Sequence, residues 1–243
     1  MLGLPQDVRA CLFDMDGVLT QTATVHEAAW KRVFDDFLQA TQPWQRLFSR
    51  EDYHRYVDGK PRADGVRDFL ASRGIRLPEG GPEDPPSATT VQGLARRKDE
   101  LFLRQLQDHG VAAYPDAASY LEAVRDAGLL VAVVTASVHG AEVLASSGLS
   151  RLIDVRVDGI IAARDGLRGK PSPDTFLAAA RALGVAPTHG AVFEDALAGV
   201  LAGRAGGFGY VVGVDRVGQA AELRAQGADV VIANLEQLLQ GSP

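Results

Sequence analysis

Short apolar runs rich in Val and Ile recur along the second half of the chain. They are "LLVAVVT" (129–135), "VRVDGII" (155–161), "GAVFED" (190–195), "FGYVVGV" (208–214) and "ADVVIAN" (228–234), and "RACLFD" (9–14) adds a sixth near the start. The runs are near-continuous rather than alternating, which marks strands covered on both faces, as in a parallel sheet. Helical patterns lie between them. "DAASYLEAVRDAG" places Ala118, Leu121 and Val124 on one side and stops at Gly128. "SPDTFLAAARALG" predicts Ser172 as N-cap, Pro173 at the first helical position and a stop at Gly184. "AELRAQG" is a shorter version. Strand and helix in alternation predict an α/β, Rossmann-like parallel-sheet core.

The pattern changes between the first strand and residue 111. "ATVHEAAWKRVFDDFLQA", "GVRDFLASRG" and "LARRKDELFLRQLQDHG" carry helical periodicity, and no strand pattern interrupts them. "LPEGGPEDPPSATT" (77–90) is rich in Pro and Gly and predicts a loop. The expected organisation is therefore an α/β core of residues 1–21 and 112–243 with an inserted all-helical cap domain, 22–111.

Bulk properties add boundaries. With 243 residues, 46% of them hydrophobic, the chain can build a core without staples. The formal net charge of −6 gives no reason to expect nucleic acid or an anionic membrane as partner. The single cysteine, Cys11, excludes an internal disulfide and reads as a small buried hydrophobe. The N-terminus lacks a basic start and an apolar stretch, so no signal peptide and a cytoplasmic location are expected.

The chemistry sits where strands end. In open parallel sheets, ligands bind at the carboxyl ends of the strands. Four segments bring polar groups there: Asp14-Met15-Asp16-Gly17, Thr135-Ala136-Ser137, Gly169-Lys170-Pro171-Ser172-Pro173 and Phe193-Glu194-Asp195. Several carboxylates packed together resist ionisation unless a cation compensates. A hard dication with oxygen ligands does so, and Mg²⁺ is the default where a phosphate shares the site. Carboxylates, a metal and a phosphate cradle imply phosphoryl transfer. Asp14 is then the candidate nucleophile and Asp16 the candidate general acid/base. Other readings compete. Glu194 and Asp195 can cap the following helix, and Arg96, Arg97 and Lys98 form a charge run of the kind that usually coats a solvated face.

Four ordered segments resemble the haloacid dehalogenase superfamily: "DMDGVLT", "VVTAS", "GKPSPDTF" and "VFEDALAGV". Within it, "DGVLTQTATVHEAAWK" and "YVDGKPRADGVRDFL" are similar to the β-phosphoglucomutase-like subfamily. The resemblance implies an aspartyl-phosphate at Asp14, acid/base work by Asp16 and Mg²⁺ held by Asp14, the Asp16 carbonyl and Asp195, with Glu194 alongside. It implies that Thr135, Ala136 and Lys170 bind the transferring phosphoryl group, with Ser137 beside them. It places Thr22 and His26 at the hinge and the gating of Asp16, and Trp30 first in the cap core and then in the site wall. Arg62 matches an arginine that grips a distal phosphate. Arg96 matches a sugar-contacting lysine, with Lys98 as the alternative register.

The chain also departs from that pattern. Val138 and His139 stand where the subfamily has a lysine and an asparagine for the distal phosphate, and Gln21 replaces an acidic hinge residue. The implied activity is interconversion of β-glucose 1-phosphate and glucose 6-phosphate by a monomer acting on a small phosphorylated sugar. Alternatives are a Mg²⁺-dependent phosphatase of small sugar phosphates and a non-catalytic binding protein on the same scaffold.

Overall fold

The structure is a computed structural model that describes residues 2–240, apart from the side chain of His109. Residues 1 and 241–243, which the expected domain division places in the core, lie outside it. The chain forms two compact units, Met1–Gln21 with Val111–Pro243, and Thr22–Gly110.

The first unit holds six strands: β1 (Ala10–Phe13), β2 (Leu130–Val134), β3 (Val155–Val157), β4 (Gly190–Glu194), β5 (Tyr210–Val214) and β6 (Val230–Ile232). They lie in the order β3-β2-β1-β4-β5-β6, and every pairing is parallel. Each of the six apolar runs therefore contributes a strand. The connections run one way from β1 to β3 and the other way from β4 to β6. The order thus reverses between β1 and β4, the place where a parallel sheet opens a crevice at its carboxyl ends. All four residues of β1 are fully buried, including Cys11, whose thiol is pushed up by burial. Phe13 stacks on Phe193 of β4, with ring centroids 4.3 Å apart.

The helices, in chain order, are α1 (Ala23–Thr41), α2 (Arg50–Asp52), α3 (Arg62–Ser72), α4 (Val91–His109), α5 (Pro115–Asp126), α6 (Gly140–Ser146), α7 (Gly159–Arg164), α8 (Asp174–Leu183), α9 (Leu197–Ala205), α10 (Ala220–Ala225) and α11 (Glu236–Leu239). Two boundaries differ from expectation. The run 155–161 is a strand only to Val157. Asp158 then accepts the Ile161 amide at 2.9 Å and turns the rest into α7, as an N-capping aspartate does. At α8 the N-cap is Pro173 rather than Ser172, whose hydroxyl instead donates to Asp174 at 2.7 Å. The helix stops at Gly184, whose φ of 71° belongs to the left-handed region that glycine enters freely.

The second unit contains α1 to α4 and, among its described residues, no strand. In α1, Trp30, Val33, Phe34, Phe37 and Leu38 recur at helical spacing and are buried. They meet Phe48, Phe69 and Leu94 in one core. Burying a side chain the size of Phe34 stabilises the fold by roughly 1.5–3 kcal/mol. Beyond the predicted helices there is a capped turn. Ser49 and Asp52 cap one another across α2, and a π-helical turn, Tyr53–Val57, follows at once.

Both edge strands are fastened in the same way at the amino end of the sheet. Before β3, Asp154 accepts the Val131 amide of β2 at 2.8 Å and pairs with Arg125 from the last turn of α5. Before β6, Asp229 accepts the Val211 amide of β5 at 2.8 Å and pairs with Arg204 from the last turn of α9.

Candidate active site

β1 carries its chain straight into Asp14, which is only 5% exposed. The next strands along the sheet end beside it: β2 runs into Thr135, and β4 ends on Glu194 and leads to Asp195. Asp14, Glu194 and Asp195 are buried, and one carboxylate oxygen from each lies within 4.8 Å of the others. Hard oxygen donors at that spacing suit a small dication.

Lys170, 2% exposed, provides the positive charge at this cluster. Its ammonium donates to Asp14 Oδ1 and, at 3.1 Å, to the Val134 carbonyl, and it pairs with Glu194 Oε1 at 2.5 Å. Burial alone would drive this proton off. The two carboxylates outweigh it and hold the ammonium above its ordinary range. Asp14 is pushed well above the usual carboxylate range, first by burial, against the pull of Lys170 and with help from Glu194 and Asp16. Extra positive charge at the cluster would lower it again, which is what a bound dication supplies.

Asp16, two residues beyond Asp14, is half-buried and has a hydroxyl partner. Thr135 donates its hydroxyl to Asp16 Oδ2 at 3.0 Å and accepts the Ser137 amide at 3.0 Å. Ser137 in turn accepts the His139 amide at 3.2 Å, so residues 135–139, with Ala136 between, curl into a tight turn. The two aspartates thus have different surroundings, one against a buried ammonium and one against a hydroxyl.

Two glycines make room for the acids. A Cβ on Gly17 would fall 1.8 Å from Asp195 Oδ2, and the residue also has φ of 91°. A Cβ on Gly199, one turn into α9, would fall 1.8 Å from Glu194 Oε1. Glu194 is therefore tucked under α9 and accepts the Ala196 amide at 3.2 Å. The N-cap of α9 is Ala196, with no side-chain cap, so neither acid takes the capping position considered from sequence.

Several expected residues belong to the helical unit, and each is placed within it. The Thr22 carbonyl accepts the His26 amide at 2.9 Å at the start of α1. His26 stacks on Phe102 with centroids 4.1 Å apart. Lys98, 2% exposed, donates to His26 Nδ1 at 2.5 Å and lies over the rings of Phe102 and Trp30. An ammonium only donates, so Nδ1 is the acceptor and the imidazole proton sits on Nε2. Trp30 is core, stacked on Phe34 at 5.1 Å. Arg62 pairs with Asp99 of α4. Arg96 is exposed and donates to the Asp84 carbonyl at 3.2 Å, whereas Lys98, the other register, is buried against His26 and Phe102.

Sequence reasoning did not single out the loop after β5. Asp215 Oδ1 accepts the amides of Val217 (3.1 Å), Gly218 (2.6 Å) and Gln219 (2.9 Å). Arg216 reaches back to the carbonyls of Gly17 at 3.4 Å and Val18 at 3.3 Å. It also pairs with Asp116 at 2.7 Å and covers the Tyr114 ring at 4.0 Å. The only signal in the sequence was a polar turn after an apolar run.

A parallel sheet whose crevice gathers a buried aspartate, a lysine and two further acids defines a phosphoryl-transfer enzyme. The chain belongs to the haloacid dehalogenase-like hydrolase family, which residues 8–207 match. It is 52% identical over 98% of its length to 94% of a Mycobacterium bovis protein named β-phosphoglucomutase. It is 28% identical over 93% of its length to 91% of hexitol phosphatase A from Escherichia coli. Its fold matches a Clostridium difficile β-phosphoglucomutase crystal structure with a TM-score of 0.75, at 23% identity, over 95% of this chain and 93% of that one. No described helix is long and apolar enough to cross a membrane.

Proposed function

We propose that this enzyme is a Mg²⁺-dependent mutase that interconverts β-glucose 1-phosphate and glucose 6-phosphate. The observation that carries the mutase reading is the 52% identity, spread over nearly both full chains, to the relative of that name. The phosphoryl-transfer chemistry is argued from the site. An Asp14 oxygen attacks phosphorus, the bond to the sugar oxygen breaks, and Asp16 delivers a proton to that oxygen. In return, Asp16 takes the proton of the attacking sugar hydroxyl as the phosphoryl group leaves Asp14. Lys170 and the turn at Thr135, Ala136 and Ser137 hold the phosphoryl oxygens. Asp14, the Asp16 carbonyl and Asp195 would hold Mg²⁺ with Glu194 alongside, and the ion would neutralise charge on the transferring group. Thr22 and His26 serve the hinge and gating. Trp30, Lys98 and Arg62 contribute to recognition of the sugar and its distal phosphate.

Incubation with Mg²⁺, β-glucose 1-phosphate and a trace of the bisphosphate tests the reading. Glucose 6-phosphate should accumulate with little phosphate release, and its absence would overturn the proposal. A phosphatase reading is favoured by Val138 and His139, which offer a distal phosphate less charge than a lysine and an asparagine would. Rapid phosphate release from many sugar monophosphates without isomerisation would establish it instead.

A further inference from the structure

Asp195 lies beyond the end of β4 and before α9, in backbone that belongs to neither element. Its carboxylate direction depends on how that short link is held. The Gln219 side-chain amide donates to the Asp195 carbonyl at 2.7 Å. Gln219 is itself pinned through its backbone, since its amide donates to Asp215 Oδ1, which also gathers Val217 and Gly218. These backbone donors hold the Asp215 carboxyl below its usual range despite partial burial. From the next residue, Arg216 grips the carbonyl of Gly17, the glycine against which the Asp195 carboxylate packs. One five-residue loop therefore touches both walls of the Asp195 position.

We propose that Gln219 is a positioning residue that fixes the Asp195 carboxylate for the divalent cation. The inference rests on the reading of Asp195 as a metal ligand. Partners outside the coordination shell set the orientation of the groups inside it, and their loss typically weakens metal affinity ten- to a hundredfold. Gln219 acts on the main chain of Asp195 rather than on its carboxylate, so the lower end of that range applies. A glutamine that merely satisfied a carbonyl would influence stability and leave metal affinity alone.

The test is Mn²⁺ binding to the chelator-stripped full chain by titration calorimetry, with thermal unfolding in EDTA alongside. Gln219→Leu and Gln219→Met keep the volume and remove the donor. Both should bind Mn²⁺ about tenfold more weakly while the unfolding midpoint in EDTA falls by only a few degrees, the cost of one lost hydrogen bond. Wild-type affinity in both variants would overturn the proposal, as would weaker binding accompanied by a large fall of the EDTA midpoint. Asp195→Asn separates the two levels. If it binds Mn²⁺ as tightly as the unaltered protein, or if the unaltered protein binds none, the metal reading fails and the positioning role fails with it.

Discussion

Each unit buries one lysine to the same 2% exposure, yet the two are compensated in different ways. Lys170 stands among formal anions, Asp14 and Glu194. Lys98 donates to His26 Nδ1 and lies over the faces of Phe102 and Trp30. An ammonium between carboxylates is nearly fixed in charge and place. An ammonium over aromatic rings also gains from the negative faces of those rings. The α/β unit thus sets its buried lysine among acids, and the helical unit sets its own among rings.

The sharpest way to break this comparison is at Asp14, the proposed nucleophile. Asp14→Asn cannot form the acyl phosphate, so turnover should fall by about 10⁴-fold or more with the fold retained, as checked by single-turnover kinetics and circular dichroism. Lys170→Met should come next. It leaves Asp14 and Glu194 facing each other without their cation, a loss of roughly 3–5 kcal/mol in denaturant unfolding of the metal-free protein. The sign with pH follows from Asp14, whose folded value is raised by burial. Stability from such a group is full below its unfolded value of about 3.9 and is lost as pH rises through the folded value. The Lys170→Met deficit in EDTA should therefore be larger at pH 8 than at pH 5. An equal deficit at both would show that Lys170 is not the counter-charge.

Smaller effects sharpen the comparison. Gly17→Ala forces a left-handed φ on alanine, at roughly 1–2 kcal/mol, and drives a methyl into Asp195. Both unfolding and Mn²⁺ affinity should record it. Lys98→Met takes the donor from the part-buried His26 Nδ1 and should cost roughly 1–3 kcal/mol in unfolding. The KM for the sugar phosphate should also rise about tenfold, the size of one hydrogen bond to a charged group. Arg96→Ala should change both by less than about twofold, as an exposed side chain with one weak partner does. A large KM effect at Arg96 with none at Lys98 would reverse the assignment.

The fold was legible because its signals are local and repeated. All six apolar runs hold strands, and the helical periodicity between β1 and residue 111 appears as α1, α3 and α4. Misreadings fell where a side chain overrides the pattern. Asp158 turns an apolar run from strand to helix, and Pro173 takes the cap expected of Ser172. Three of the four polar segments follow β1, β2 and β4, whose parallel ends share one edge, whereas the segment 169–173 follows α7 and leads into α8. What was not legible depends on contacts far apart in sequence. Whether Arg96 or Lys98 turns inward is decided by packing against His26, 72 positions away from Lys98. Gln219 reaches Asp195 across 24 positions, with no periodicity to announce it.

The paired fastenings at Asp154–Arg125 and Asp229–Arg204 carry a consequence of their own. They lie at the foot of the sheet, opposite the edge that presents Asp14 and Asp195. Each ties the start of an outer strand to its inner neighbour, where a slip of register would otherwise begin. The anchoring of the outer strands is therefore local to one rim. Loops on the other rim can be lengthened, shortened or re-sequenced without loosening it, so such a scaffold can exchange one phosphorylated substrate for another while its register stays fixed.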